Sequence, residues 1–314
     1  MKIRKILVGT AFVLLVVPML LAAVAWMGFY GLLSWYAPNR TTGTIVSSGH
    51  DREYLLHVPK TYDGTKPTPL VITLHPAMNW PAFVAKLTRW NDVADENGFI
   101  VAYPAAAGHG PRAWLDGKPG LLMDVRFVSD LIDTLQASYN IDPARIYADG
   151  ISQGGGVAFV LACRLSPRIA AVATVAAAYE LPWWWCKPER PVPAIAFHGT
   201  ADPVVLYKGG PSPVSPRDFP SIPEWSRTWA ERNRCTGKTV ETKVAPRATR
   251  LEYTGCADNA SVVLFTLEGA GHQWPGSEPL PEWMVGPQGR GVDATREIWS
   301  FFRDHPLPPA RAAR

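Results

Sequence analysis

The chain has 314 residues, 47% of them apolar and 18% charged, with a net charge of +4. That balance excludes intrinsic disorder and is ample for a large core. Leaving out Lys2, Arg4 and Lys5 lowers the net charge to +1. No basic stripe therefore points to nucleic acid, and no recurring period points to a solenoid or propeller.

Those three basic residues precede an uncharged apolar run from Ile6 to Ala37. A secretory h-region spans roughly 7–15 residues and a membrane span about 20, so this run is long enough to cross a bilayer. Positive charge before it predicts an N-in, C-out orientation. Residues 1–37 are expected to form a membrane anchor or uncleaved signal. Ala23-Val24-Ala25 offers the alternative, cleavage near Ala25 and secretion. Both readings export the remainder of the chain, which divides into a linker over 38–48, a catalytic domain over 49–303 and a flexible tail over 304–314.

In chain order, "YLLHVP" and "PLVITLHP" read as strands. Phe83, Leu87, Trp90, Val93 and Ala94 recur at helical spacing up to a Gly98 cap, predicting one helix over 83–97. "FIVAYP" is a strand, and Val125, Val128, Ile132 and Leu135 trace a helix face. "RIYADG" is a strand, followed by a helix through "VAFVLAC". "AAVATVAA", "AIAFHG" and "SVVLFTLEG" complete the strands. Apolar strands alternating with amphipathic helices predict an α/β fold, a mostly parallel sheet covered on both faces. Residues 207–224, rich in proline and glycine, read as a surface excursion.

Gly150-Ile151-Ser152-Gln153-Gly154 satisfies G-x-S-x-G between a predicted strand and a predicted helix, the setting of a nucleophile elbow. A serine nucleophile needs a base, and the base an orienting carboxylate. Downstream, "FHGTADPVV" places Asp202 after a strand, and "LEGAGHQWPG" places His272 in a loop after the last strand. Both are strand C-termini, where open α/β sheets build their sites. Ser152, Asp202 and His272 thus occur in the order of an α/β-hydrolase triad. Asp202 also fits a plain turn before Pro203. His198 is read as a structural hydrogen bonder, and His305 falls in the proline-rich tail. The oxyanion hole is expected from the backbone N–H of Gln153 and of Ala77 or Met78, because Pro76 has no N–H. Trp183, Trp184 and Trp274 are candidates to line the substrate cleft, with loop packing as their alternative role. The four cysteines allow three pairings; turn-like contexts favour Cys235 with Cys256, and Cys163 reads as a buried thiol.

The stretches "PLVITLH", "TRWNDVADENGFIVAYP", "IDPARIYADGISQGGG", "PVPAIAFHGTADPVV", "WAERNRCTG" and "TGCADNASVVLFTLEGAGHQWPG" resemble the esterase/poly(3-hydroxybutyrate) depolymerase family of α/β hydrolases. Feruloyl and acetyl xylan esterases are among its members. The resemblance runs from Tyr54 to Phe302. It implies the α/β-hydrolase fold, triad roles for Ser152, Asp202 and His272, and a Cys235–Cys256 disulfide. The family has His-Gly after its third strand where this chain has His75-Pro76. The expected activity is hydrolysis of carboxylic esters without cofactor or metal. Soluble hydroxyalkanoate oligomers or aryl and carbohydrate esters are the expected substrates, since no room remains for a polymer-binding domain. The alternatives are a serine peptidase of the same fold and a non-catalytic binding protein.

Overall fold

The computed structural model of the chain describes residues 18–309, except 26, 29, 116, 213 and 214. Two compact units are present, Met1–Asn39 and Arg40–Arg314. The first holds helix α1, Pro18–Tyr36, whose length and apolar composition suffice to cross a membrane. The basic residues expected to orient it, and the last five of the expected tail, lie outside the described residues.

Among the described residues of the second unit, ten strands form one sheet in the order β1-β2-β4-β3-β5-β6-β7-β12-β11-β10. Its centre is parallel: β4 (Ile100–Pro104), β3 (Thr68–Leu74), β5 (Ile141–Ile151), β6 (Val172–Val175), β7 (Ala194–Gly199) and β12 (Val262–Leu267). β3, β4, β6 and β7 are buried at every position. This is why they read as unbroken apolar runs rather than alternating ones. Antiparallel hairpins close both ends, β1 (Gly43–Ser47) with β2 (His50–His57), and β10 (Val240–Ala245) with β11 (Ala248–Tyr253). β1 thus occupies part of the stretch expected as a linker. Its polar, half-exposed sequence hides its pairing with β2.

Two further expectations are corrected. The helix predicted over 83–97 is two helices, α2 (Pro81–Thr88) and α3 (Trp90–Asn97). Arg89 between them takes a left-handed φ of 56°, so the apolar periodicity survives while the axis turns. The tail is docked in part: Leu307 N–H donates to Ala144 O, and the His305 ring bonds Phe301 O and Ser261 Oγ. The long helix α4 (Gly117–Ser138) and α5 (Gln153–Arg164) pack in the main core, while α6 is Ile222–Arg232 and α8 is Ala294–Arg303. Within the excursion, β8 (Gly210–Ser212) and β9 (Ser215–Phe219) form a small hairpin.

Asp149 on β5 is the least comfortable core residue. Fully buried, it lies against Thr73 of β3 and the Trp90 indole, and neither makes a well-formed hydrogen bond to it. Burial pushes its carboxyl up to about 8, only partly opposed by those two neighbours. An unfolded carboxyl titrates near 3.9, so the folded chain holds a proton that the unfolded chain has lost. Stability therefore falls as pH rises from the ordinary carboxylate range to about 8, and is then level. Asp149→Asn keeps the shape without the titration. It should raise Tm at pH 8 by several degrees, about 2–4 °C per kcal/mol for domains of this size. Thermal unfolding of the two proteins should converge as pH is lowered towards 4.

Candidate active site

β5 ends at Ile151 and α5 starts at Gln153, so the chain reverses at Ser152 alone. Ser152 has φ 57° and ψ −124°, a region that side-chain-bearing residues avoid and that persists only when surroundings enforce it. Three 3.0 Å backbone hydrogen bonds enforce it here: Ser152 N–H to Val175 O, and Gly156 and Ala178 N–H to Ser152 O. The strand and helix also approach closely. A Cβ at Gly154 would meet the carbonyl oxygens of Leu74 and His75, and one at Gly150 would meet the Gly154 carbonyl. The first backbone N–H of α5, that of Gln153, has no acceptor within its own helix and sits at the positive end of the helix dipole.

The loops after β7 and β12 bring Asp202 and His272 together. His272 Nδ1 donates to Asp202 Oδ2 at 2.8 Å, with both residues buried. Asp202 Oδ1 accepts from Val204 and Val205 N–H, each at 2.8 Å. His198 Nε2 donates to Val205 O at 2.8 Å and lies 3.3 Å from Asp202 Oδ2. Burial alone would raise the Asp202 carboxyl. The hydrogen bonds from His198 and His272 outweigh it and hold the group well below the ordinary carboxylate range. A carboxylate is thus ready to fix the Nδ1–H tautomer of His272, leaving Nε2 to accept a proton.

The loop after β3 carries His75-Pro76. His75 is fully buried, and its ring Nδ1 donates to Pro76 O at 2.8 Å while Nε2 accepts from Ala106 N–H at 3.0 Å. Burial lowers its pKa to about 4, so the ring is neutral. The bond to Pro76 O has a directional consequence. In a trans peptide the C=O and N–H point opposite ways, so the Ala77 N–H is aimed away from the buried ring. Of the two candidates in this loop, Ala77 has its donor direction set. Met78 is at φ 60° and 37% exposed.

A segment that the sequence did not single out joins this loop to the elbow. Asn79 and Arg112 exchange backbone hydrogen bonds, and Trp114 Nε1 donates to His75 O at 2.8 Å. The Gln153 side chain grips the Trp114 backbone at both ends: Trp114 N–H donates to Oε1 at 2.8 Å, and Nε2 donates to Trp114 O at 3.2 Å. Gln153 therefore matters for its amide side chain as well as its backbone N–H.

The three tryptophans part company. Trp274 is 1% exposed, with its Nε1 bonded to Thr295 Oγ1 at 2.9 Å, so it packs inward and lines no cleft. Its nearness to His272 in sequence says nothing of which way it faces. Trp183 packs against Phe159, Trp225 and Trp229 and borders a groove, and Trp184, 63% exposed, borders the same groove. Cys235 pairs with Cys256, and Cys163 pairs with Cys186. Cys163 is thus no free thiol: a cysteine on an apolar helix face gives no sign of a partner 23 residues on. That disulfide ties α5 to the tryptophan turn.

Residues 53–179 match the family model described as "Esterase PHB depolymerase". The chain is 34% identical over 229 residues to feruloyl esterase B of Piromyces equi, covering 70% of this chain and 42% of that protein. The chain belongs to this esterase family. It spans less than half the length of the Piromyces protein. It is also 29% identical to the putative esterase NocK of Nocardia uniformis, over 83% of this chain and 82% of that one. Among solved structures, an acetyl xylan esterase from Aspergillus awamori superposes with a TM-score of 0.58 at 12% identity. It covers 82% of this chain and 98% of that one, a likeness of α/β-hydrolase fold.

One further residue braces the candidate site. Gln273, next to His272 and buried, donates through Nε2 to Gly286 O at 2.6 Å and to Leu280 O at 3.3 Å. Its Oε1 accepts from Leu280 N–H at 2.8 Å. Backbone bonds from Gly271 to Pro287 and from His272 to Val285 extend the seam. The strap so held contains the short helix α7, Glu282–Val285, and Gly286 packs against Ala201 and Pro203 on the Asp202 loop. Removing this amide leaves buried backbone groups unpaired and loosens the His272 loop. Misplacement of about 1 Å can cost up to 100-fold in rate. Gln273→Ala should lower kcat about tenfold or more while the KM for a small aryl ester changes little, as steady-state kinetics on the folded variant would report.

Proposed function

We propose that the chain is an exported carboxylic ester hydrolase that works by acyl transfer to Ser152. Support comes from the strained elbow at Ser152 and from an Asp202–His272 pair whose carboxylate is held ionised. His272 Nε2 removes the Ser152 hydroxyl proton as Oγ attacks the ester carbonyl carbon. The negative charge that develops on the carbonyl oxygen is met by the N–H of Gln153 and that of Ala77. His272 then gives the proton to the departing alcohol, leaving an acyl-serine. Water, deprotonated by His272 in turn, releases the acid and restores the hydroxyl. Asp202 holds the imidazole in the tautomer these steps need.

Aryl or carbohydrate esters such as feruloyl and acetyl esters are the favoured substrates, with soluble hydroxyalkanoate oligomers next. The relatives named as feruloyl and acetylxylan esterases, together with the aromatic wall beside α5, carry that preference. Two disulfides and the apolar helix α1 support export, with α1 as membrane anchor. Ser152→Ala should lower kcat/KM for p-nitrophenyl acetate by about 10⁴-fold or more and abolish labelling by a fluorophosphonate probe. Retained turnover or labelling in a folded variant would overturn the serine assignment. A panel of methyl ferulate, acetylated xylan and hydroxybutyrate oligomers ranks the substrates.

A further inference from the structure

Trp274 lies two residues past His272 and is held at both ends. Its carbonyl accepts from Ser277 N–H at 3.2 Å, Ser277 Oγ at 2.8 Å and Gln288 Nε2 at 2.9 Å. Its indole Nε1 donates to Thr295 Oγ1 at 2.9 Å. Thr295 stands in the first turn of α8, which Asp293 caps by accepting from Arg296 N–H at 3.2 Å. The same Thr295 hydroxyl donates to Thr88 O, at the last residue of α2. One oxygen therefore joins three elements: the loop after β12, the start of α8 and the end of α2. Trp274, Thr295 and Thr88 are all buried.

The break between α2 and α3 makes this junction possible. The last four carbonyls of a helix have no partner within it. With the left-handed turn at Arg89, Thr88 O accepts from Thr295 instead of from a continuing helix. Beside it, Arg89 Nη1 donates to Gly276 O at 3.1 Å, and Ala294 N–H donates to Pro275 O at 3.0 Å. A Cβ at Gly276 would fall 2.8 Å from Asp293 Cα, so the two backbones touch there. Residues 274–276 are thus pinned to α8 and to the α2–α3 corner, while Gly271, His272 and Gln273 are pinned to the strap.

We infer that Thr295 is a positioning residue for His272, acting through Trp274. This rests on His272 being the base of the proposed reaction. A hydroxyl can donate and accept at once, which is what the junction demands. Valine keeps the shape but not the hydroxyl. The indole N–H and the Thr88 carbonyl then lose their shared partner in a buried site, a costly state. Recovering partners requires the loop to shift, and His272 shifts with it.

Thr295→Val should lower kcat for p-nitrophenyl acetate about tenfold or more with KM little changed, the scale of a small misplacement of a reacting group. Labelling by a fluorophosphonate probe should slow by a similar factor. Thr295→Ser retains the hydroxyl and should restore most of the rate. Arg296→Ala is the control for a merely structural role. Arg296 ties α8 to Glu96 of α3 through two exposed bonds of 2.7 and 2.8 Å, so its loss should lower Tm and leave kcat as in wild type. Trp274→Phe removes the same N–H from the other side, and serves if Thr295→Val does not fold. Where both fold, the double variant should lose little more than either single one, because they share one bond. A folded Thr295→Val or Trp274→Phe variant with wild-type kcat overturns the inference, as does a loss that Thr295→Ser shares in full. Ser152→Ala and His272→Ala separate the two claims. If both are inactive while Thr295→Val turns over as wild type, the role of Thr295 alone fails. If they stay active, the underlying reading fails first.

Discussion

The near-contact of three backbones around Ser152 is the constraint on which the rest of the molecule depends. β3, β5 and the first turn of α5 come together with no side chain between them, and that contact holds Ser152 in a conformation it would not adopt alone. Such strain persists only in a rigid frame. The frame is the parallel centre of the sheet, where four of the six strands are buried along their whole length because helices cover both faces. The glycines are required here by space, since what they exclude is a Cβ in the path of a neighbouring carbonyl. The same close approach fixes where α5 begins, and its first N–H groups have no acceptor within the helix.

Around the elbow, polar side chains act mainly as ties between loops. Gln153 holds the Trp114 segment, Trp114 and Asn79 hold the loop after β3, and the neutral His75 ring sets the orientation of the peptide before Ala77. Proline at position 76 removes a donor, yet its carbonyl serves as the anchor that turns the next N–H outwards. The Pro76 carbonyl is thus tied to the preceding imidazole. On the opposite flank, the Cys163–Cys186 disulfide and Arg232 secure the tryptophan turn against α5 and α6.

Much of this was legible in the sequence. Buried parallel strands must be apolar throughout, so each announced itself, and Asp202 and His272 stood out by lying just past two of them. Ser152 was legible because few other contexts place serine between glycines at a strand-to-helix turn. What the sequence hid was mostly direction and partnership. Trp274 lies two residues from His272 yet points into the core. Arg89 carries no mark of the left-handed turn that splits the predicted helix, because an arginine can adopt it wherever its neighbours require. Trp114 and Arg112 lie far along the chain from the residues they hold, and Cys163 resembles any small apolar residue on a buried helix face. Asp149 sits in the middle of a strand, where only the structure reveals how little surrounds its carboxyl.

The strap over residues 280–288 touches the His272 loop along its seam and the Asp202 loop through Gly286. Asp202 and His272 therefore share a single mount, whereas Ser152 stands on another, built from β5 and α5. The proposed proton transfer from Ser152 to His272 would cross from one mount to the other, while the imidazole and its carboxylate stay together on theirs.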